Sequence, residues 1–212
     1  MRGPVSIVAI GCNHRSTPLD KLERMTVAPG DLSKVLSGLG EADHLSEVVV
    51  LSTCNRIEVY AFAERFHGGY HDVREFLADH AGLPPEDVAD HLYAHHDADA
   101  VRHLFRVAAG LDSVVIGEHE ILGQVRDAWE TARAEGTVGT VLGGVFRHAV
   151  ETGKRARTET SIARGIASVS QAAVALADDR SAGIAGRTVL VIGAGEMAEG
   201  TVKSLAAAGA GA

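Results

Sequence analysis

The residues with the clearest capacity for chemistry lie in the stretch Leu51-Ser52-Thr53-Cys54-Asn55-Arg56-Ile57-Glu58-Val59-Tyr60. A thiol stands there among hydrogen-bonding side chains, where the apolar run Glu47-Val48-Val49-Val50-Leu51 ends and Ile57-Glu58-Val59-Tyr60-Ala61-Phe62 begins. Both runs are β-branched or aromatic enough to read as strands. A cysteine at such a junction can be held rigidly and still face solvent, and Arg56 two residues on favours its thiolate. That is the setting of a nucleophile. The bland alternative is a small hydrophobe at a strand end, because cysteine outside disulfides is among the most buried residue types. Arg56 offers a second use, since its guanidinium can also hold a carboxylate in a bidentate clamp.

Three further constellations carry chemistry. His103 falls off the stripe made by Val101, Leu104, Phe105 and Ala108, beside Arg102 and Arg106. It therefore reads as part of a solvated face or as a side chain able to face a cleft. Glu120 and Gln124 lie one helical turn apart and off the apolar stripe of their helix, facing either a substrate or plain solvent. Gly193-x-Gly195-x-x-Ala198 follows the apolar run Thr188-Val189-Leu190-Val191-Ile192, the placement of a dinucleotide fingerprint whose glycines let backbone approach a pyrophosphate. By contrast, His91, His95, His96, Asp97 and Asp99 lack the i, i+4 ligand pair or cysteine partners of an organised zinc site, and no metal is expected there.

These groups need elements to position them. Strands are expected at 5–14, 47–53, 57–64 and 91–95, with helices at 18–26, 30–39 and 71–82, the last stopped by Gly82 and Pro84-Pro85. This mixture reads as a compact α+β domain ending near residue 96. Helices then take over, from Asp97 or Asp99, through Ile121–Ala132, at 138–159 and at 167–180. Gly186 introduces the strand 188–192 and the fingerprint.

With 212 residues and 46% hydrophobic content, the chain can bury a sizeable core. No window approaches 18 uninterrupted apolar residues, and the N-terminus lacks a signal-peptide pattern. Two cysteines, Cys12 and Cys54, in differing contexts fit a reducing, cytoplasmic compartment better than a disulfide scaffold. The net charge of −8 argues against bulk nucleic-acid binding, though not against a local patch. One such patch is Arg147, Lys154, Arg155, Arg157 and Arg164 against Glu151 and Glu159; a solvated helix face explains it equally well.

Ser52-Thr53-Cys54-Asn55-Arg56-Ile57-Glu58 resembles the signature of glutamyl-tRNA reductases. Gly110-Leu111-Asp112-Ser113 with Ile116-Gly117-Glu118-His119-Glu120-Ile121-Leu122-Gly123-Gln124-Val125 is similar to the same family, as are Lys154-Arg155-Ala156-Arg157-Thr158-Glu159-Thr160 and Gly11-Cys12-Asn13-His14-Arg15-Ser16-Thr17-Pro18. The resemblance runs in family order through essentially the whole chain. It implies that Cys54 accepts the glutamyl group of glutamyl-tRNA(Glu) as a thioester, which NADPH reduces to glutamate-1-semialdehyde at the start of tetrapyrrole synthesis. It also implies that His103 assists, that Thr53, Asn55 and Arg56 hold the substrate with Arg56 as carboxylate clamp, and that Ser113, Glu118, His119, Glu120 and Gln124 line the glutamyl pocket. Glutamine is commoner where Glu120 stands, and an added carboxylate repels an anionic substrate unless paired. Gly193, Ala194, Gly195, Glu196, Met197 and Ala198 are the implied NADPH contacts. The motif does not demand a cysteine at Cys12, which reads as structural.

The implied architecture is an α+β N-terminal catalytic domain (1–160), a connecting helix or linker (161–186) and the first β-α unit of a Rossmann-type α/β domain (187–212). One strand and one helix do not complete such a domain, so the chain is expected to be a fragment that captures acyl groups without reducing them. A lone parallel strand cannot satisfy its backbone, and residues after about 186 are expected to be poorly ordered. The family further implies a homodimer in the full-length protein and an aminomutase that takes the aldehyde. Two rivals stand beside this reading: cysteine-dependent acyl transfer or esterase activity alone, and a non-catalytic tRNA-binding module.

Overall fold

The computed structural model describes residues 6–163 and 168–211. The expected strand start at Val5, the helix start at Ala167, Arg164 of the basic segment and the final Ala212 lie outside the described residues. The strands are β1 (Ser6–Asn13), β2 (Leu45–Thr53), β3 (Arg56–Ala63) and β4 (Tyr93–His96). They form one antiparallel sheet in the order β2-β3-β1-β4. Among the described residues the helices are α1 (Leu19–Met25), α2 (Leu32–Gly40), α3 (Phe66–Ala81), α4 (Pro85–Ala89), α5 (Ala98–Ala108), α6 (Glu120–Ala134), α7 (Thr140–Glu159), α8 (Val169–Arg180) and α9 (Glu196–Ala207). None of them is long and apolar enough to cross a membrane.

The sheet is covered on both faces, and the pleat decides which residue goes where. Val8, Ile10 and Cys12 point one way, with Ile57, Val59 and Ala61 of β3 beside them in register. This face meets α1 and α3, and its side chains are buried. Ala9, Gly11 and Asn13 point the other way, paired with Tyr60, Glu58 and Arg56. Here α5 and α7 pack on the sheet, with Phe146 of α7 edge-on to Tyr60 at 5.3 Å. The edge strand β2 is closed by Thr137, which accepts from the Val48 amide at 2.8 Å and donates its hydroxyl to the Val48 carbonyl at 3.0 Å. Next to it, the Glu47 carboxylate accepts from the amides of Val141 and Leu142 and so caps the start of α7.

The structure departs from the sequence expectations in four places. Helix α3 starts at Phe66 rather than 71, because Gly68 and Gly69 pack against His44 and Ala63 instead of forming a loop. Pro85, read as a stop, is also the first residue of the short α4. In α5 the buried stripe is Ala100, Leu104, Val107 and Ala108, while Val101 and Phe105 are only partly covered. His103 therefore turns toward the sheet and not to a solvated face. Finally, the strand expected at 188–192 does not form: its only ladder contact among the described residues is one parallel bridge, Thr188 to Gly211. Leu190 and Ile192 are 83% and 90% exposed, as an apolar run must be when no neighbouring strand covers it. Helices α8 and α9 pack on each other around Val174, Ile184 and Leu205.

Candidate active site

Cys54 and Asn55 are the two turn residues between β2 and β3, so the thiol stands at the sheet's end, exposed. The turn avoids the left-handed region at both positions. It is held instead by the Thr53 hydroxyl, which accepts from the amides of Asn55 and Arg56, each at 3.2 Å. Asn55 donates its side-chain amide to Cys54 Sγ at 3.1 Å. The site thus gains rigidity from the two polar neighbours that the sequence marked as substrate contacts.

Behind the turn lies a buried polar cluster. Arg56 is 1% exposed and donates to Glu58 Oε1 at 2.7 Å, to the Asp112 carbonyl at 2.7 Å and to the Asp112 carboxylate at 3.0 Å. Glu58, fully buried, also accepts from the hydroxyls of Tyr60 and Tyr93 and from His103 Nε2 at 2.8 Å. Burial alone would raise the Glu58 pKa, but the Arg56 charge and the His103 and Tyr60 hydrogen bonds hold it well below the usual carboxylate range. Because Glu58 is an ionised acceptor, the His103 Nε2 that faces it carries a proton and donates. Burial and the adjacent Glu58 charge push both tyrosine hydroxyls far above their ordinary value, so they stay neutral donors.

Gly11 makes this cluster possible. It lies between Glu58 and Tyr93 in register, and a Cβ there would stand 2.1 Å from the Ile57 carbonyl oxygen and 3.0 Å from Glu58 Cγ. Asp112 is delivered by the loop that the Gly117 amide closes onto the Gly110 carbonyl at 2.9 Å, and Arg15 pairs with it from outside at 2.8 Å.

Arg56 is thus engaged within the protein: it donates to two carboxylates and a carbonyl, and Glu58 and Asp112 match its charge. Glu118 is occupied as well: its carboxylate accepts from Ser113 Oγ and from the amides of Glu120 and Ile121, capping α6. Arg157 is not a phosphate contact in waiting, since it donates inward to the carbonyls of Ala108, Gly153 and Glu118.

A narrow cleft of about 40 Å³ adjoins the thiol. It brings together Thr53, Cys54, Asn55 and Arg56 from the turn with Ser113, Glu118, Glu120 and Gln124 from the following loop and α6. Val169 and Met197 reach it from α8 and α9. His119 is exposed at the start of α6 and does not line this cleft. Nor does His103, which opens on a separate cavity with Tyr93 and His95. Of the fingerprint side chains described, only Met197 lines the cleft; Gly193, Ala194 and Gly195 belong to the turn into α9, Glu196 is the first residue of that helix and Ala198 lies in its first turn.

The fingerprint loop fits a pyrophosphate. Gly193 has φ 130°, which side chains rarely adopt, and a Cβ on Gly195 would meet nothing within 4 Å, so backbone amides at the start of α9 are open to an anion. Among the described residues no group of three or more His, Cys, Asp or Glu could hold a metal ion.

Sequence reasoning missed Glu58, Tyr60, Tyr93 and Asp112 as a unit. The signal was present in part: Arg56, Glu58 and Tyr60 alternate in a strand otherwise apolar, placing three polar groups on one covered face.

The sequence model of the family described as glutamyl-tRNA(Glu) reductase, N-terminal domain, matches residues 10–160. The glutamyl-tRNA reductase of Salinispora tropica is 48% identical over 208 residues, which is 98% of this chain and 46% of that protein. That of Desulfitobacterium hafniense is 42% identical over 203 residues, 96% of this chain and 46% of that protein. The solved glutamyl-tRNA reductase from Methanopyrus kandleri aligns with a TM-score of 0.64 and 39% identity, covering 99% of this chain and 48% of that one. The chain spans about half the length of the curated relatives it matches.

Proposed function

The chain belongs to the glutamyl-tRNA reductase family, and from that premise we propose that it acts in the NADPH-dependent reduction of glutamyl-tRNA(Glu) to glutamate-1-semialdehyde, with Cys54 as acyl acceptor. This is the first committed step of tetrapyrrole synthesis. The observation that carries the reading is the exposed Cys54 thiol at the tip of a hydroxyl-braced turn, opening on a polar cleft. Cys54 Sγ attacks the ester carbonyl that joins glutamate to the RNA. The S–C bond forms, the C–O bond to the ribose breaks, and the ribose oxygen takes a proton. Ser113, Asn55 and Gln124 supply hydrogen bonds to the glutamyl group, while Glu118 and Thr53 hold the backbone that carries them. NADPH, when bound, supplies the hydride that converts the thioester carbonyl to an aldehyde and returns the thiolate. The loop Gly193–Ala198 would hold its pyrophosphate, and Met197 brings that helix to the Cys54 cleft.

His103 assists from its own cavity, with Glu58 holding its ring in place. That placement also speaks against a simple cysteine esterase, which needs its histidine beside the thiol. The reading includes a cytosolic setting, a homodimer and transfer of the reactive aldehyde to an aminomutase. The test is incubation with tRNA carrying labelled glutamate. The chain should acquire covalent label, and Cys54→Ser should reduce that labelling roughly 10⁴-fold or more. Label that survives the substitution would contradict the nucleophile assignment.

A further inference from the structure

On the other side of the Arg56–Asp112 pair from the thiol lies a cavity of about 480 Å³, far roomier than the Cys54 cleft. Three rings form its wall: Tyr93 and His95 from β4 and His103 from α5. His95 stacks on His103 with centroids 4.6 Å apart and planes 29° from parallel, and Tyr93 meets His103 edge-on at 5.4 Å. Burial and the neighbouring His103 hold His95 below its ordinary pKa, so near neutrality it is an uncharged ring. Arg102 and Arg106 stand on the rim. Arg102 is paired with Asp99, and Asp112 is covered by Arg15 and Arg56. Arg106 is exposed and, among the described residues, has no carboxylate within ion-pair distance.

Rings that accept a flat π-system, next to an unmatched guanidinium, are the parts of a nucleotide site. We propose that this cavity is the subsite for the 3′-terminal adenosine of the acylated RNA, with the base against His95 and Tyr93 and its phosphate on Arg106. The proposal rests on the glutamyl-tRNA reading given above. An aminoacyl ester sits on the ribose of a terminal adenosine, so the nucleoside must lie close to the thiol, yet the thiol cleft is too narrow for it. The two spaces share a wall. Asp112 lines the cavity while the next residue, Ser113, lines the cleft, and Asn13 lines the cavity while its strand partner Arg56 lines the cleft. A substrate bridging this wall puts the glutamyl group on one side and the leaving nucleoside on the other, beside His103.

The test compares Cys54 acylation by glutamyl-tRNA with acylation by glutamyl benzyl thioester, which has no nucleoside. His95→Ala should lower the ratio of the two rates about 10- to 100-fold, the range expected for loss of one base–aromatic contact. Arg106→Ala should lower it less and flatten its salt dependence. AMP should inhibit the RNA reaction competitively and shift the His95 ring signals in NMR spectra. An unchanged ratio in both variants, or AMP that leaves those signals in place, overturns the proposal. If neither acyl donor labels Cys54, the functional reading fails on its own, and the AMP titration still decides the cavity.

Discussion

Cys12 and Cys54 stand at the same end of one sheet, and each is followed by asparagine, yet they differ in almost every physical respect. Cys12 occupies a strand position on the apolar face, fully buried, with its thiol 4.0 Å from the Met25 sulfur. Burial pushes its pKa up from 9.0 to about 11. Cys54 occupies a turn, where the pleat no longer assigns it to either face, and it is exposed. Sequence echo therefore says little about reactivity. What separates the two thiols is a strand position against a turn position two residues further along, and the polar cluster on the far face beside that turn.

Experiment can separate the two thiols directly. The largest difference should appear on alkylation with iodoacetamide at pH 8. Only about one Cys12 molecule in 10³ is a thiolate there even before burial slows access, so folded protein should label at Cys54 and at Cys12 only on unfolding. Equal labelling of the two in folded protein would remove the distinction. Arg56→Ala attacks the brace. It leaves Glu58 and Asp112 buried without their shared cation and should cost about 3–5 kcal/mol in urea unfolding. A loss under about 1 kcal/mol, the scale of a surface pair, would mean that the cluster does not hold the turn.

The smallest effect is one of slope. Glu58 has a folded pKa depressed below its ordinary 4.5, so its contribution to stability is complete above that value and is lost as pH falls through the folded pKa. Unfolding free energy should thus decline below pH 4.5, and less steeply in Glu58→Gln. Identical slopes would show that Glu58 is not ionised in the folded protein.

Local patterns made the hairpin and its exposed tip legible. β-Branched and aromatic runs on either side of Thr53-Cys54-Asn55-Arg56 fix strand ends to within a residue or two. The brace was not legible, because its donors come from β3, β4 and α5, and only the folded register brings Tyr93 and His103 onto Glu58. The direction of His103 stayed open between solvent and cleft for a related reason. Val101 and Phe105 looked like the core stripe by size, whereas the smaller Ala100 and Ala108 are what let α5 approach the sheet. At 188–192 the composition of a strand was present and its partners were not, so propensity had nothing to pair with.

On the proposed function Cys54, and not Cys12, receives the acyl group. The direct measurement is peptide mapping by mass spectrometry after brief exposure to tRNA charged with isotopically labelled glutamate, quenched at acid pH to preserve thioesters. Glutamyl label is expected on the peptide containing Cys54 and none on the peptide containing Cys12. Label on Cys12, or on a peptide without cysteine, would contradict it.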